Sequence, residues 1–345
     1  MNHIYNYTID DFKSYLLSKG EKPFRSTQLI EWLYRHKINS FDEITNMKKS
    51  FIETLKEDFT IDRLELVLKQ ESSDGTIKFL FRLADGNLIE TVLMTHDYGY
   101  SVCVTTQVGC NMGCQFCASG MKKKLRNLET FEIVLQILMV EELTNLKVSH
   151  VVVMGIGEPF DNYENVTKFL KIINYPLGLE IGARHITVST CGIIPKIKEF
   201  ADFPLQINLA LSLHAPNNEL RSKLMKINKA YPLDDVMEAI KYYYEKTNRR
   251  VTFEYILLRG VNDTKECAKE LIKLIRGMNV YVNLIPYNEV STKPFKTTSH
   301  DEAEAFFSIL HKAGINVTLR MEHGSDIDAA CGQLRAKRMK EDMNE

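Results

Sequence analysis

Three cysteines stand in the run Gly109-Cys110-Asn111-Met112-Gly113-Cys114-Gln115-Phe116-Cys117, a C-x3-C-x2-C spacing, and Cys103 lies seven residues upstream. The chain holds seven cysteines, so four of them crowd into fifteen residues; the others are Cys191, Cys267 and Cys331. An odd number, in a chain whose start MNHIYNYTIDDFK lacks the apolar core of a signal peptide, speaks against a framework of structural disulfides. Structural zinc asks for four ligands, usually in two separated pairs, and no fourth partner stands beside the triad. Three thiolates in one loop suit instead a [4Fe-4S] cubane with one iron left unliganded by protein. An open iron can hold a substrate or cofactor, whereas a four-cysteine cluster mainly carries electrons.

Polar groups recur wherever an apolar run ends. Gly155-Ile156-Gly157-Glu158-Pro159 follows the run SHVVVM; its glycines admit a ligand close to the backbone, and Glu158 can take an ammonium group. Alone it reads equally well as an ordinary tight turn. Ser189 ends HITVS, Ser212-Leu213-His214 ends QINLALSL, and Asn288 closes Pro286-Tyr287-Asn288. A single Ser or Asn at such a place is more often a helix cap than a ligand. Their common position favours contacts to a ribose, a carboxylate or an adenine.

The elements that must carry these residues follow from periodicity. Residues 8–58 read as helices, with apolar positions at helical spacing in Phe12, Tyr15, Leu16 and again in Leu29, Ile30, Leu33. Residues 62–95 switch to strands around the turns at 72–75 and Asp85-Gly86, giving hairpins such as TIKFLFRL and NLIETVLM. From about 100 to 320, six apolar strands (SVCVTT, SHVVVM, HITVS, QINLALSL, VTFEYIL, VYVNLI) are each followed by a helical stretch. That alternation predicts an α/β fold with a parallel sheet, open or closed into a partial (β/α)6 barrel, too short for an eight-unit barrel. Ligands of such folds sit at the carboxyl ends of the strands, where the triad and the polar groups fall. The expected division is a helical module at 1–60, a β-hairpin extension at 61–98, the barrel at 99–320, and a loop and basic tail at 321–345.

Composition narrows the classes. The 345 residues are 44% hydrophobic and 26% charged, ample for a sizeable core. Lys and Arg total 44 against 45 acids, so no global basic field recruits nucleic acid, and any such contact is a local patch. Candidates are Lys122, Lys123, Lys124 and Arg126 after the triad, Arg249-Arg250, and Arg335, Lys337, Arg338 in the tail. Each alone is more often a solvated face. No apolar stretch is long enough for a membrane span, which gives the expectation of a cytoplasmic protein without a membrane partner.

The triad spacing resembles that of the radical S-adenosylmethionine (SAM) superfamily, in which the open iron chelates SAM and an electron from the cluster cleaves it to a 5′-deoxyadenosyl radical. Cys331 adds a sharper likeness, because it sits in a polar, glycine-flanked run, Asp326-Ile327-Asp328-Ala329-Ala330-Cys331-Gly332-Gln333-Leu334, rather than among core residues. With TQVGC, MGIGEPFDN, ARHITVST, SLHAPN, VNLIPYN and DIDAACGQLRAK, the chain closely resembles the bacterial dual-specificity RNA adenine-C2 methyltransferases over roughly 10–338. Members of that family methylate C2 of adenosine 2503 in 23S rRNA and of adenosine 37 in certain tRNAs. One departure is Cys191, where serine is usual.

The resemblance implies a radical SAM partial barrel carrying a [4Fe-4S] cluster on Cys110, Cys114 and Cys117, and a monomer. It implies SAM contacts from Gly157, Glu158, Ser189, Ser212, Leu213, His214 and Asn288. Two SAM molecules are used per turnover, with a flavodoxin or ferredoxin as electron donor. It also implies that Cys331 carries the methyl group and that the RNA becomes covalently attached. Glu90 then accepts the C2 proton, and Cys103 resolves the adduct through a disulfide with Cys331, a transient bond that a reducing cytosol tolerates. By itself Glu90 reads as a solvated strand glutamate. Because C2 is electron-poor and has no lone pair, direct polar methyl transfer is closed to it, whereas radical addition is open. The target base must also leave its stack. Trp32, Tyr34 and Arg35 of the amino-terminal module are candidates for shaping the RNA, and Trp32 reads equally well as a core residue. Two readings stay open beside this one: the related C8 methyltransferase, which shares both extra cysteines, and a non-catalytic iron–sulfur or zinc RNA-binding protein.

Overall fold

The computed structural model describes residues 1–121, 123–290 and 292–320, together with Ile327. Its amino-terminal part is helical. Thr8 caps α1 (Ile9–Ser18) with a reciprocal box to Asp11. α2 (Arg25–Ile30) runs on into a π turn at Glu31–Arg35, and α3 (Lys49–Asp58) follows. Alternating residues then give β1 (Glu65–Glu71), β2 (Ile77–Arg82), β3 (Leu88–His96) and β4 (Gly99–Cys103), each antiparallel to the one before.

From β4 onward the chain crosses over through helices: α4 (Thr130–Thr144), β5 (Val148–Val153), α5 (Tyr163–Asn174), β6 (Ile186–Thr190), α6 (Ile194–Phe200) and β7 (Asn208–Ser212). It continues through α7 (Asn218–Leu224), α8 (Leu233–Thr247), β8 (Val251–Leu257), α9 (Lys265–Leu274), β9 (Val280–Pro286), α10 (His300–Lys312) and β10 (Asn316–Leu319). Strands β4 to β10 are parallel, as such crossovers require. The six expected strand–helix units are present, and β10 adds a seventh parallel strand whose four residues are too few for a periodic signal. The hairpins do not stand apart from the barrel: β3 pairs with β4, so all ten strands form one sheet in chain order.

That sheet is rolled. Between β3 and β10 lie seven inter-strand spacings, about 34 Å if flat. Yet Arg320 at the end of β10 brings Nη2 within 3.5 Å of Met94 Sδ on β3. The roll turns Ser101 and Cys103, Val152, Ser189, Ser212, Glu254 and Ile285 inward, while the alternate residues Val102, Val151, Val188, Leu211, Phe253 and Leu284 pack outward on the helices.

α4 has almost no polar face. Eleven of its fifteen residues are buried, because the sheet covers one side and the amino-terminal segment the other. His3 stacks on Phe131 at 3.9 Å, and Lys37 meets Glu141 at 2.8 Å. One apolar core therefore runs from Ile4 and Phe12 through α4 to Leu310. This docking also occupies the residues the sequence offers for shaping RNA. Tyr34 is in that core, Trp32 donates its Nε1 hydrogen to Asn46 (2.8 Å), and Arg35 pairs with Glu180 (2.6 Å).

Candidate active site

A cavity of about 340 Å³ opens at the carboxyl ends of the parallel strands. Its lining includes Cys103, Cys110, Cys114 and Cys117, and also Gly157, Glu158, Ser189, Ser212, His214 and Asn288. Ten of the thirteen residues singled out from the sequence thus face one space.

The triad loop leaves β4 and is closed at its base by a two-residue ladder, Gln107–Val108 against Arg126–Asn127. Gly109 (φ 79°) and Gly113 (φ 64°) take left-handed turns that other residues resist. The Gln115 amide donates to the Leu224 carbonyl (2.8 Å), tying the loop to the end of α7. Burial first, then the negative potential of Cys117, Glu158 and Asp161, push the Cys110 thiol up to about 12, against a Met112 backbone hydrogen bond that lowers it. Cys114 is raised further, by burial and by its two sister cysteines. The Cys110 and Cys114 thiols so placed resist ionisation unless a cation lies beside them. Among the described residues, no set of three or more His, Cys, Asp or Glu converges on a single ion. A cubane asks for something different, one thiolate on each of three irons, and these three soft donors lining one cavity fit it.

The segment after β5 is held by close backbone contact. A Cβ on Gly155 would fall 2.6 Å from the Val104 carbonyl oxygen, and one on Gly157 (φ 113°) 2.7 Å from Gln107 Cβ. The Glu158 amide donates to Gln107 Oε1 (2.9 Å). The Glu158 carboxylate is buried, which raises its pKa, and it accepts from Thr190 Oγ1 (2.7 Å), the Phe160 amide (3.1 Å) and the Cys191 amide (2.8 Å). The Cys191 thiol hydrogen-bonds to it as well, so its roughly four acceptor sites are all engaged, and a donor in the cavity would take the place of that weak thiol contact.

Ser189 and Ser212 bring their hydroxyls to 3.3 Å across neighbouring strands. His214 takes a left-handed backbone (φ 56°), and its Nδ1 accepts from the Ile256 amide (3.1 Å), leaving the ring proton on Nε2. Burial, with the charge of Arg221, lowers its pKa to about 3. The imidazole is therefore a neutral donor. Leu213 differs from its neighbours: its side chain is in the outer core, and its carbonyl accepts from Arg221 Nε (3.3 Å). What it can offer a ligand is backbone alone.

Glu90 is 5% exposed, so the solvated reading is corrected. It lies on β3 on the face of Val92 and Met94, both of which line the cavity, and Val92 is the cross-strand partner of Cys103. Glu90 and Cys103 are thus diagonal neighbours on the inner face. Cys331 lies outside the described residues, as do Lys122, Arg335, Lys337 and Arg338.

The basic run after the triad is already neutralised in part. Lys124 pairs with Asp161 (2.6 Å), and Arg126 forks onto Glu132 (2.7 Å) while meeting Asp85 (2.6 Å). Sequence reasoning also passes over Gln136. Its amide accepts from Thr91 Oγ1 (2.9 Å) and the Thr105 amide (2.8 Å) and donates to the Thr105 carbonyl (2.9 Å), locking β3 to the start of the triad loop. One glutamine inside the otherwise apolar run IVLQILMV was the available signal. Glu254 and Arg320, which also line the cavity, carried none.

Comparison with known proteins agrees with this geometry. Residues 104–275 match the model of the radical SAM superfamily, and residues 2–61 match that of the ribosomal RNA large subunit methyltransferase N-terminal domain. The probable dual-specificity RNA methyltransferase RlmN of Geobacillus kaustophilus is 59% identical over 98% of this chain and 94% of its own length. Its counterpart in Spiroplasma citri is 56% identical over 98% of both chains. Among solved structures, a radical SAM methyltransferase from Sphaerobacter thermophilus superposes with a TM-score of 0.90 at 41% identity, covering 96% of this chain and 99% of that one.

Proposed function

The chain belongs to the RlmN-type dual-specificity RNA methyltransferases of the radical SAM superfamily, and we propose that it methylates C2 of adenosine 2503 in 23S rRNA and of adenosine 37 in tRNA. The observation that carries this reading is the single cavity shared by the cysteine triad, Cys103 and the polar strand ends. Cys110, Cys114 and Cys117 would hold a [4Fe-4S] cluster. Glu158, Ser189, Ser212, His214, Asn288 and the backbone at Gly157 and Leu213 would hold SAM. When bound, these groups supply one electron and a 5′-deoxyadenosyl radical, which removes a hydrogen atom from a methyl group.

The chain's own residues do the rest. Cys331, as thiolate, takes that methyl from one SAM molecule, forming S-methylcysteine and leaving S-adenosylhomocysteine. After hydrogen removal by a radical derived from a second SAM, the cysteine-bound methylene bonds to C2. Glu90 accepts the C2 proton, and the unpaired electron of the adduct would pass back to the cluster that Cys110, Cys114 and Cys117 would hold, leaving a closed-shell thioether between Cys331 and the base. The Cys103 thiolate attacks the Cys331 sulfur; the new S–S bond forms as the S–CH2 bond breaks, and the methylene carbon keeps the electron pair and takes a proton. Neutral His214 would act as a hydrogen-bond donor through Nε2–H and not as an acid near neutrality. Apolar residues such as Met112, Phe116 and Val152 line the space where the reactive carbon would sit.

The test is anaerobic reconstitution with methyl-labelled SAM and protein-free 23S rRNA or tRNA, followed by nucleoside mass spectrometry. Labelled 2-methyladenosine is expected. Label at C8, or 5′-deoxyadenosine without labelled nucleoside, would overturn the reading.

A further inference from the structure

Arg221, on α7, is completely buried, and among the described residues it pairs with no acid. Its Nε donates to the Leu213 carbonyl (3.3 Å), its Nη1 to Asn228 Oδ1 (2.8 Å), and its Nη2 to the carbonyls of Cys191 (2.7 Å) and Ser212 (3.3 Å). All four acceptors are neutral. A guanidinium keeps its proton in such a place, so one whole positive charge lies inside the fold with no carboxylate paired to it among the described residues. Burying an ion this way is costly, and three neutral carbonyls at two strand ends do not by themselves call for a cation.

The triad loop packs against the helix that carries this charge. Gln115, next to Cys114, bonds to Leu224, one helical turn beyond Arg221. Cys114, Cys191, Leu224 and Met225 share one small apolar cluster, and Arg221 Nη2 bonds to the Cys191 carbonyl (2.7 Å), which sets the guanidinium beside that cluster. Low dielectric around Arg221 strengthens its interaction with a charge held by the loop, and its complete burial limits screening by salt.

We propose that Arg221 is the fixed countercharge of the iron–sulfur site, a positioning residue that favours the reduced cluster. This rests on the reading that the triad holds a [4Fe-4S] cluster. With three thiolates, such a cluster carries a net charge of −1 when oxidised, and −2 once a low-potential one-electron donor has reduced it. A nearby cation stabilises the second state more than the first. The same guanidinium also holds the carbonyls after Cys191, Ser212 and Leu213, so charge and strand ends stay in one arrangement.

The experiment is a dithionite titration of the anaerobically reconstituted full chain without SAM, followed by electron paramagnetic resonance. Arg221→Gln removes the charge; its constant for cluster reduction should fall at least about tenfold, which is a midpoint about 59 mV more negative. Arg221→Lys keeps the charge and should stay near the wild type. Asn228→Asp sets a carboxylate against Nη1 while Arg221 remains; it should shift the midpoint in the same direction, and it decides the matter if Arg221→Gln does not fold. An unchanged midpoint in a charge-cancelling variant with full iron and sulfide overturns the proposal, as does Arg221→Lys moving as far as Arg221→Gln. A wild-type chain that takes up no iron and sulfide would instead overturn the cluster reading on which it stands.

Discussion

Cys103 and Glu90 occupy adjoining strands on the inner face, yet neither draws its meaning from its own strand. Cys103 lines the cavity, within reach of whatever is attached there, and a thiol in that position can cleave a neighbouring sulfur–carbon bond. Cys103→Ala is therefore expected to leave radical addition intact and to stop turnover at a covalent protein–RNA species. Denaturing gels with labelled RNA would show it; normal methylation with no adduct would remove the assigned role. His214 makes a different prediction. Its ring is held near pKa 3 by burial and by Arg221, whereas in the unfolded chain it titrates near 6.5. The unfolded state then binds the extra proton, so stability falls as pH drops from about 6.5 toward 3. In the folded protein the His214 ring resonances should stay flat across roughly pH 5–8. A midpoint near neutrality would contradict the burial argument.

At the level of elements, the triad loop keeps its shape through the segments that brace it. Arg126, on the returning strand of its base, ties Asp85 in the β2–β3 turn to Glu132 on α4. The Arg126 hydrogen bond holds the Asp85 carboxyl down at about 2, below its ordinary 3.8. Its stabilisation is present above about pH 4 and disappears as pH falls through 2. The pair is partly exposed, so solvent screening leaves up to about 1 kcal/mol. Asp85→Asn should unfold at a lower temperature than the wild type at neutral pH, and the two curves should converge on acidification toward pH 2. A constant gap at all pH values would deny the ion pair. The spacing of Lys124 and Arg126 shows two cations, but not that Asp161, Asp85 and Glu132 fold against them.

Across the whole molecule, the roll of the sheet places Arg320, the last residue of the described body before 321, in the lining of the cavity. Cys331 lies eleven residues further, and an extended chain of that length spans at most about 36–40 Å. Reach is therefore no obstacle to a carrier role. Cys331→Ala should abolish RNA methylation while the reconstituted protein still releases 5′-deoxyadenosine from SAM; retained methylation would end the carrier assignment. The triad, the strand–helix alternation and the polar groups at strand ends were legible in the amino-acid sequence, because ligand spacing and hydrophobic period are local properties of the chain. Three neighbouring thiols declare their chemistry within eight residues. The burial of Glu90, the fusion of the hairpins with the barrel sheet, the pairing of Lys124 and Arg126, and the isolated charge of Arg221 were decided only by the tertiary structure. Each depends on which distant faces meet and what they exclude from water, and no spacing along the chain records that.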